Sequence, residues 1–341
     1  MDVRLSPEQQ ALRDAVAGAV DRLGPRSVGD LDDAARAERL EAASSAAGWR
    51  ELRAVGSDGA APLASGVEAA LVAEELGRGL ADVAFIGPTL AAELRRLSGA
   101  PPAEDVETVA FVPDLSAPAR AVGGVVPAAV AVDARGARRA LVLVPSAEGD
   151  DLAALAPGRA EPPLDLTRAA WASERASSPE PMAAGVLGGE AMTRWTALGL
   201  ALTCADLVGV MQGALSLACV YAAERRQYDA PIGSFQAVQH LLADAFVATE
   251  GSRSAALHAA WAVDSLGAPD ALAAGAVAKA YTARAARDVC EAVIQVHGGI
   301  GNTWDCLAHV YLRRALLSSD LFGGVGPSLG RVLVHHGIGE G

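Results

Sequence analysis

The chain has 341 residues, 51% of them hydrophobic and 20% charged, enough to bury a sizeable core shared among two or three structural units. Its formal charge of −13 means that the protein as a whole gains nothing from approaching nucleic acid or an anionic membrane. A polyanionic ligand would need a local positive patch or helix N-termini. Aromatic residues make up only 4%, and alanine takes their place, which favours close-packed helices.

The first residues, MDVRLSPEQQ, lack a basic leader followed by an apolar stretch, so no signal peptide is expected, and four cysteines that read as free thiols lead us to expect a reducing, cytoplasmic location. Cys204, Cys219, Cys290 and Cys306 have no CxxC spacing and read as free thiols, most of them buried, rather than as disulfides or metal ligands. Residues 1–103 read as a helical domain. Ser6, Pro7 and Gln9 form a capping box with proline at the first helical position, and Leu12, Val16, Val20 and Leu23 mark one apolar face. A polar, acidic connection (GDLDDAARAERLE) follows, and a further helix runs through VEAALVAEELGRGLAD.

From 104 to 187 the texture changes. VETVAFV, AAVAVD and RALVLV are strand-like runs, Asp133 to Gly136 predicts a hairpin turn between the last two, and prolines are dense, so a small, short β-domain is expected. Residues 188–341 are helical again. One long buried helix reaches Arg226, and others run from Phe235 to about Leu266, from Pro269 to about His297 and from Asp305 to about Leu321, predicting an up-down four-helix bundle with a frayed tail, LVHHGIGEG. The run Trp195 to Ala223 is long enough to cross a bilayer, but Asp206 and Gln212 in its middle favour a central helix buried all round.

Two stretches of this last region carry chemistry. In RRQYDAPIGSFQAVQHLLAD, a helix ends in a basic, aromatic turn. Arg225 there suits the negative end of the helix dipole, and its fork also suits a pyrophosphate. In QVHGGIGNTW, glycines interrupt a helical run. They can serve as a C-cap, and they also let backbone N–H groups approach a nucleotide. His297 in that turn reads as a packed or hydrogen-bonded residue, since nothing spaced around it makes a triad.

Together these stretches resemble the two signatures of the acyl-CoA dehydrogenase family, flavoenzymes that desaturate acyl-CoA thioesters. The resemblance covers nearly the whole chain, strongly over 190–316 and weakly in the β-domain. It implies a mostly α fold with a small β-domain between an N-terminal helical domain and a C-terminal four-helix bundle. It implies FAD as cofactor, held across a subunit interface. Arg225, Gln227, Tyr228 and Gln236 match the positions that reach a neighbouring subunit's FAD, and Gln295, Gly298 and Gly299 match the turn that contacts its adenosine half.

The resemblance also exposes two losses. The segments that cradle the flavin ring in the family are not found; where the first should lie stands FVPDLSAPARAVGG. Removal of the proton α to the thioester needs a carboxylate beside the substrate, but counting along the family's motifs places Phe322 and Gly199 at its two base positions. Asp206, about 10 Å further along the helix from Gly199, Asp305 and Asp320 are neighbouring carboxylates that read as structural, with Asp320 the weak substitute.

The pattern resembles the shorter, degenerate subunit of the actinobacterial heterotetrameric (α2β2) acyl-CoA dehydrogenases of steroid side-chain degradation. That resemblance implies a homologous catalytic partner subunit, an acyl-CoA substrate, and electron-transfer flavoprotein as a candidate acceptor. Two other readings stay open: a self-sufficient homotetrameric dehydrogenase with a relocated base, and a non-enzymatic acyl-CoA-binding or scaffold protein.

Overall fold

In the computed structural model, which describes residues 4–56, 59, 61–161, 164–173, 176–182 and 184–338, helices precede and follow a curled seven-stranded sheet. Helix α1 (Pro7–Leu23) starts as expected: the Ser6 hydroxyl accepts from the Gln9 N–H, and the Gln9 side chain accepts from the Ser6 N–H. Val16 and Val20 are buried, with Leu12 and Leu23 packed partly against the same core.

The acidic stretch read as a connection is in fact mostly helical. A 3-10 turn at Val28–Asp32 leads into α2 (Ala34–Ala46), where the Asp33 carboxylate caps the Arg36 N–H. Arg36 is itself buried, with a bidentate pair to Asp82 at 2.9 and 2.6 Å. Tertiary pairing therefore turns a charged run into a helix that periodicity alone does not reveal. Helices α3 (Gly66–Arg78) and α4 (Ile86–Ser98) follow.

The sheet contains β1 (Glu107–Phe111), β2 (Ala129–Ala131), β3 (Arg139–Pro145), β4 (Asp150–Leu155), β5 (Arg159–Glu161), β6 (Ala170–Ser173) and β7 (Glu180–Pro181), in the order β5-β6-β2-β1-β3-β4-β7. The hairpin expected at Asp133 to Gly136 does not form. Strand β1 lies between β2 and β3, antiparallel to the first and parallel to the second. Asp133 is diverted from turn chemistry by tertiary contacts: it is buried and accepts from the Gly87 N–H, and its carboxylate lies 3.1 Å from Arg168. Alternation divides the strands between two cores. Val109, Phe111, Leu141, Leu143 and Leu152 join the main core, whereas Ala110, Ala131, Ala140, Val142 and Trp171 form a second, alanine-rich one.

The C-terminal bundle comprises α5 (Gly189–Glu224), α6 (Gln236–Ser265), α7 (Ala268–His297), α8 (Ala308–Asp320) and α9 (Val325–His335). The start of α8 lies three residues after the expected Asp305, and α9 extends into the tail read as frayed, whose last residues, 339–341, lie outside the described ones. Helix α5 is long and apolar enough to cross a membrane, yet 94% of its most apolar window is buried within the protein. Among the described residues, Cys204, Cys290 and Cys306 are buried, Cys219 is exposed, and all four are free.

A buried ionic cluster ties the layers together. Asp206 of α5 meets Arg314 of α8 at 2.6 Å and Arg168 of the β5–β6 region at 3.0 Å, and the Ser318 hydroxyl donates to it at 2.6 Å. Arg314 also donates to the Ala81 carbonyl and the Thr167 hydroxyl. Burial alone would push the Asp206 carboxyl up, but the two guanidiniums hold it below the usual carboxylate range.

Candidate functional site

The two conspicuous motifs are far apart in sequence, and the fold brings them to one cavity. Helix α5 stops at Arg225, which leaves helical geometry and whose carbonyl accepts from the Ile232 N–H at 2.8 Å. Between them a short ladder, β8 (Arg226–Gln227) with β9 (Ala230–Pro231), closes on a two-residue turn, Tyr228 and Asp229, at φ of 49° and 62°. Two non-glycine residues in the left-handed region are uncommon, and the turn holds Tyr228 90% exposed, its ring edge-on to Phe235 at 6.4 Å. Arg226 steadies the turn by donating to the Asp229 carbonyl.

At the other side, α7 ends where Gly298 takes φ +66° and ψ −144°, a conformation open essentially to glycine alone. Gly299 is different. Its φ is not in the positive range, and a side chain there would meet no other atom of this chain within 4 Å, so the space it leaves is free for a ligand.

The cavity between the two motifs has a volume of about 490 Å³. Of the sequence-predicted residues, Arg225, Gln227, Tyr228, Gln295, Gly298 and Gly299 line it. Gln236 does not: it is the exposed first residue of α6, one step past Phe235, which takes the wall position. Tyr221 and His297 belong to the wall as well, their rings stacked at 4.5 Å. Tyr221 lies one helical turn before Arg225, a spacing that places both on one face and is readable from the sequence. Among the described lining residues, none is acidic and Arg225 is the only permanent charge. In a chain of net charge −13 that is a local preference for an anion. No described carboxylate pairs with the Arg225 guanidinium, so its fork remains available.

The positions where the resembled family carries its base tell the opposite story. Gly199 and Phe322 meet in a single contact: a Cβ at 199 would collide with three atoms of the Phe322 ring. That ring is 1% exposed, edge-on to Phe111 at 5.2 Å and to Trp195 at 5.3 Å. Its backbone holds φ +65°, with the N–H donating to the Leu115 carbonyl and the carbonyl accepting from Arg331. Leu115 belongs to FVPDLSAPARAVGG, so that segment packs against the Phe322 loop. Trp195, one turn before Gly199, was identifiable by helical spacing alone, whereas Phe111 was not.

The neighbouring carboxylates do not reach this cluster. Asp320 is exposed and lines a separate cleft of about 270 Å³ with Arg284, Arg287 and Asp288. Asp206 is consumed by Arg168 and Arg314, and Asp305 is exposed before α8. Beside the Asp206 ionic cluster lies Lys279, fully buried, donating to the Thr203 hydroxyl and the Ser318 carbonyl, with its amine pushed down to about 8 by burial.

Residues 188–325 match the family model described as "Acyl-CoA dehydrogenase, C-terminal domain". The acyl-CoA dehydrogenase IpdE2 of Mycolicibacterium smegmatis is 31% identical over 266 residues, which are 75% of this chain and 74% of that protein. Other curated acyl-CoA dehydrogenases of Mycobacterium tuberculosis are matched over only 19 to 36% of their own length. Among solved structures, the Tcur3481-Tcur3483 steroid ACAD G363A variant superposes with a TM-score of 0.80 at 23% identity, covering 97% of this chain and 98% of that one. The ChsE4-ChsE5 complex from Mycobacterium tuberculosis gives 0.78 at 23% identity, covering 99% of each chain.

Proposed function

The chain belongs to the acyl-CoA dehydrogenase family, and on that premise we propose that it is the non-catalytic subunit of an α2β2 flavoenzyme. The complex desaturates a bulky, steroid-derived acyl-CoA between its α and β carbons. It acts in the cytoplasm and passes electrons to an electron-transfer flavoprotein. The observation that carries this reading is the contact of the Phe322 ring with Gly199: both places at which a proton-abstracting carboxylate would stand are occupied by one apolar plug. The two solved heteromeric neighbours, one of them a steroid ACAD, support the same assignment.

The residues present fit one half of FAD. Arg225 offers a guanidinium fork without a carboxylate partner among the described residues, which suits a pyrophosphate, and Gly299 leaves room for a close approach. Bound FAD supplies the hydride acceptor of the desaturation. This chain's own contribution is to bind and orient: Arg225, Gln227, Tyr228, Gln295, Gly298 and Gly299 hold the adenosine and pyrophosphate end of a cofactor seated mainly in the partner. The Phe111–Trp195–Phe322 cluster keeps both acyl chain and water out of the corresponding chamber here.

Visible absorbance of the purified protein tests the assignment. The chain alone is expected to be colourless, and co-expression with its homologous full-length partner to give about one flavin per two chains. A yellow homotetramer that an acyl-CoA reduces overturns it and reopens the search for a base.

A further inference from the structure

Helix α4 borders a second cavity, of about 260 Å³, which shares no lining residue with the one beside Arg225. Leu90 and Leu94 of this helix are fully buried in the main core, whereas Pro88, Ala91 and Ala92 line the cavity. Val55, Ala100 and Val106 face them, so the walls are mainly apolar. Protein interiors rarely leave voids larger than a water molecule, about 30 Å³ in the liquid, and this space is many times that size.

Two buried arginines fix its walls. Arg95 forms a bidentate pair with Glu107 at 2.5 and 2.7 Å and donates to the Pro101 carbonyl at 2.5 Å, which ties the segment before β1 to α4. Arg50 donates through Nε to the Ala84 carbonyl at 2.7 Å and pairs through Nη2 with Glu41 at 2.6 Å. Its Nη1 has no partner among the described residues, and it is not one of their unpaired polar atoms sealed from solvent. That nitrogen therefore keeps accessible surface although Arg50 as a whole is only 6% exposed, and Arg50 belongs to the cavity wall.

The mouth has the opposite sign. Glu51, Glu104 and Asp105 are exposed lining residues, and none of them is in an ion pair among the described residues. They repel an anion at the entrance, and a plain hydrocarbon would leave both these carboxylates and the Arg50 donor unused. A peptide segment with one aliphatic side chain, Lys or Arg beside it and main-chain carbonyls answers all three features.

We propose that this cavity docks a protein partner, which inserts one leucine- or methionine-sized side chain from a basic segment. Lys or Arg residues flanking that side chain pair with Glu51, Glu104 and Asp105, while Arg50 Nη1 donates to a main-chain carbonyl of the segment. The inference is independent of the flavin-sharing assignment, because no residue serves both cavities.

Random heptapeptides displayed on phage and selected on the purified protein in its native assembly test this docking, with affinities then read by fluorescence anisotropy. The expected consensus is one Leu, Ile or Met with Lys or Arg close beside it. Ala92→Phe fills the cavity and should weaken the selected peptide by about tenfold or more, the loss of one buried aliphatic side chain. Serine in place of the peptide's aliphatic residue probes the same pocket without altering the protein and should lose as much. Glu104→Lys combined with Asp105→Lys changes only exposed positions and should weaken binding by about tenfold at low salt and far less at high salt. A consensus without a basic residue overturns the proposal, as does binding that survives Ala92→Phe and the peptide's serine change. Selection without any consensus also overturns it and leaves the cavity to a small molecule or to solvent.

Discussion

Replacing Gly199 by alanine should destabilise this protein, against the usual rule for a glycine inside a helix. Gly199 lies within α5, where alanine normally gains about 1 kcal/mol over glycine. Here the added methyl enters space held by the Phe322 ring. That ring cannot swing aside freely, because Phe111 and Trp195 flank it and its backbone is tied to Leu115 and Arg331. Overpacking a core of this kind costs about 2–3 kcal/mol, so the net expectation for Gly199→Ala is a loss of about 1–2 kcal/mol.

Phe322→Ala, which empties the space, should cost about 3–5 kcal/mol by itself. With the ring gone, the methyl at 199 has room, and Gly199→Ala should stabilise that background by about 1 kcal/mol. The sign reversal amounts to a coupling of about 2–3 kcal/mol, measurable by urea unfolding of the four proteins followed by tryptophan fluorescence. A Gly199→Ala protein as stable as the parent, or more so, would falsify the plug geometry and remove the main support for a non-catalytic role.

Lys279 offers a pH-dependent readout. Burial pushes its amine down to about 8, against the opposing pull of Asp206 and Asp320, with Arg168 lowering it further, while the buried Cys204 thiol is pushed up to about 11. Between pH 8 and about 10.4 the unfolded chain therefore holds a proton on Lys279 that the native chain has lost, so this amine's own contribution to stability should rise with pH across that window by about 3 kcal/mol at most. The thiols of Cys204 and Cys290, pushed up to about 11 and about 12 by burial, act in the opposite sense. Below pH 8 both states are protonated and the burial penalty is fully present. Lys279→Met should be the more stable protein at pH 7 and lose that advantage by pH 10; parallel denaturation curves would refute the buried amine. Asp206→Asn strands Arg168 and Arg314 in the core and should cost about 3–5 kcal/mol at neutral pH in the same assay. Asp320→Asn should leave turnover of the mixed complex unchanged, since its carboxylate is exposed in a different cleft; a large loss of kcat would place the base on this chain. Gly299→Leu should fold with stability within about 0.5 kcal/mol of the parent yet lower the flavin content of the complex, because its side chain would enter only the shared cavity.

The long helices, the switch to strands and the two signature turns were legible in the residue order. Each depends on local period, capping or glycine, as with Ser6–Gln9 or the end of α7 at Gly298. The absence of a carboxylate at 199 and 322 was equally legible by counting. Helix α2 was hidden because its reason to exist is the Arg36–Asp82 pair, which joins two distant segments. The false hairpin at Asp133 has the same origin, since Arg168 and Gly87 claim that carboxylate. Only tertiary packing decided that the two missing-base positions are one place. Spacing along a single helix says which residues share a face; it cannot say that α5 meets the segment after α8 there, or that an aromatic ring would fill the vacancy left by a glycine. The shared cavity follows the same rule: sequence supplied an arginine turn and a glycine turn, and the antiparallel packing of α5, α6 and α7 placed them on facing walls with Tyr221 and His297 between.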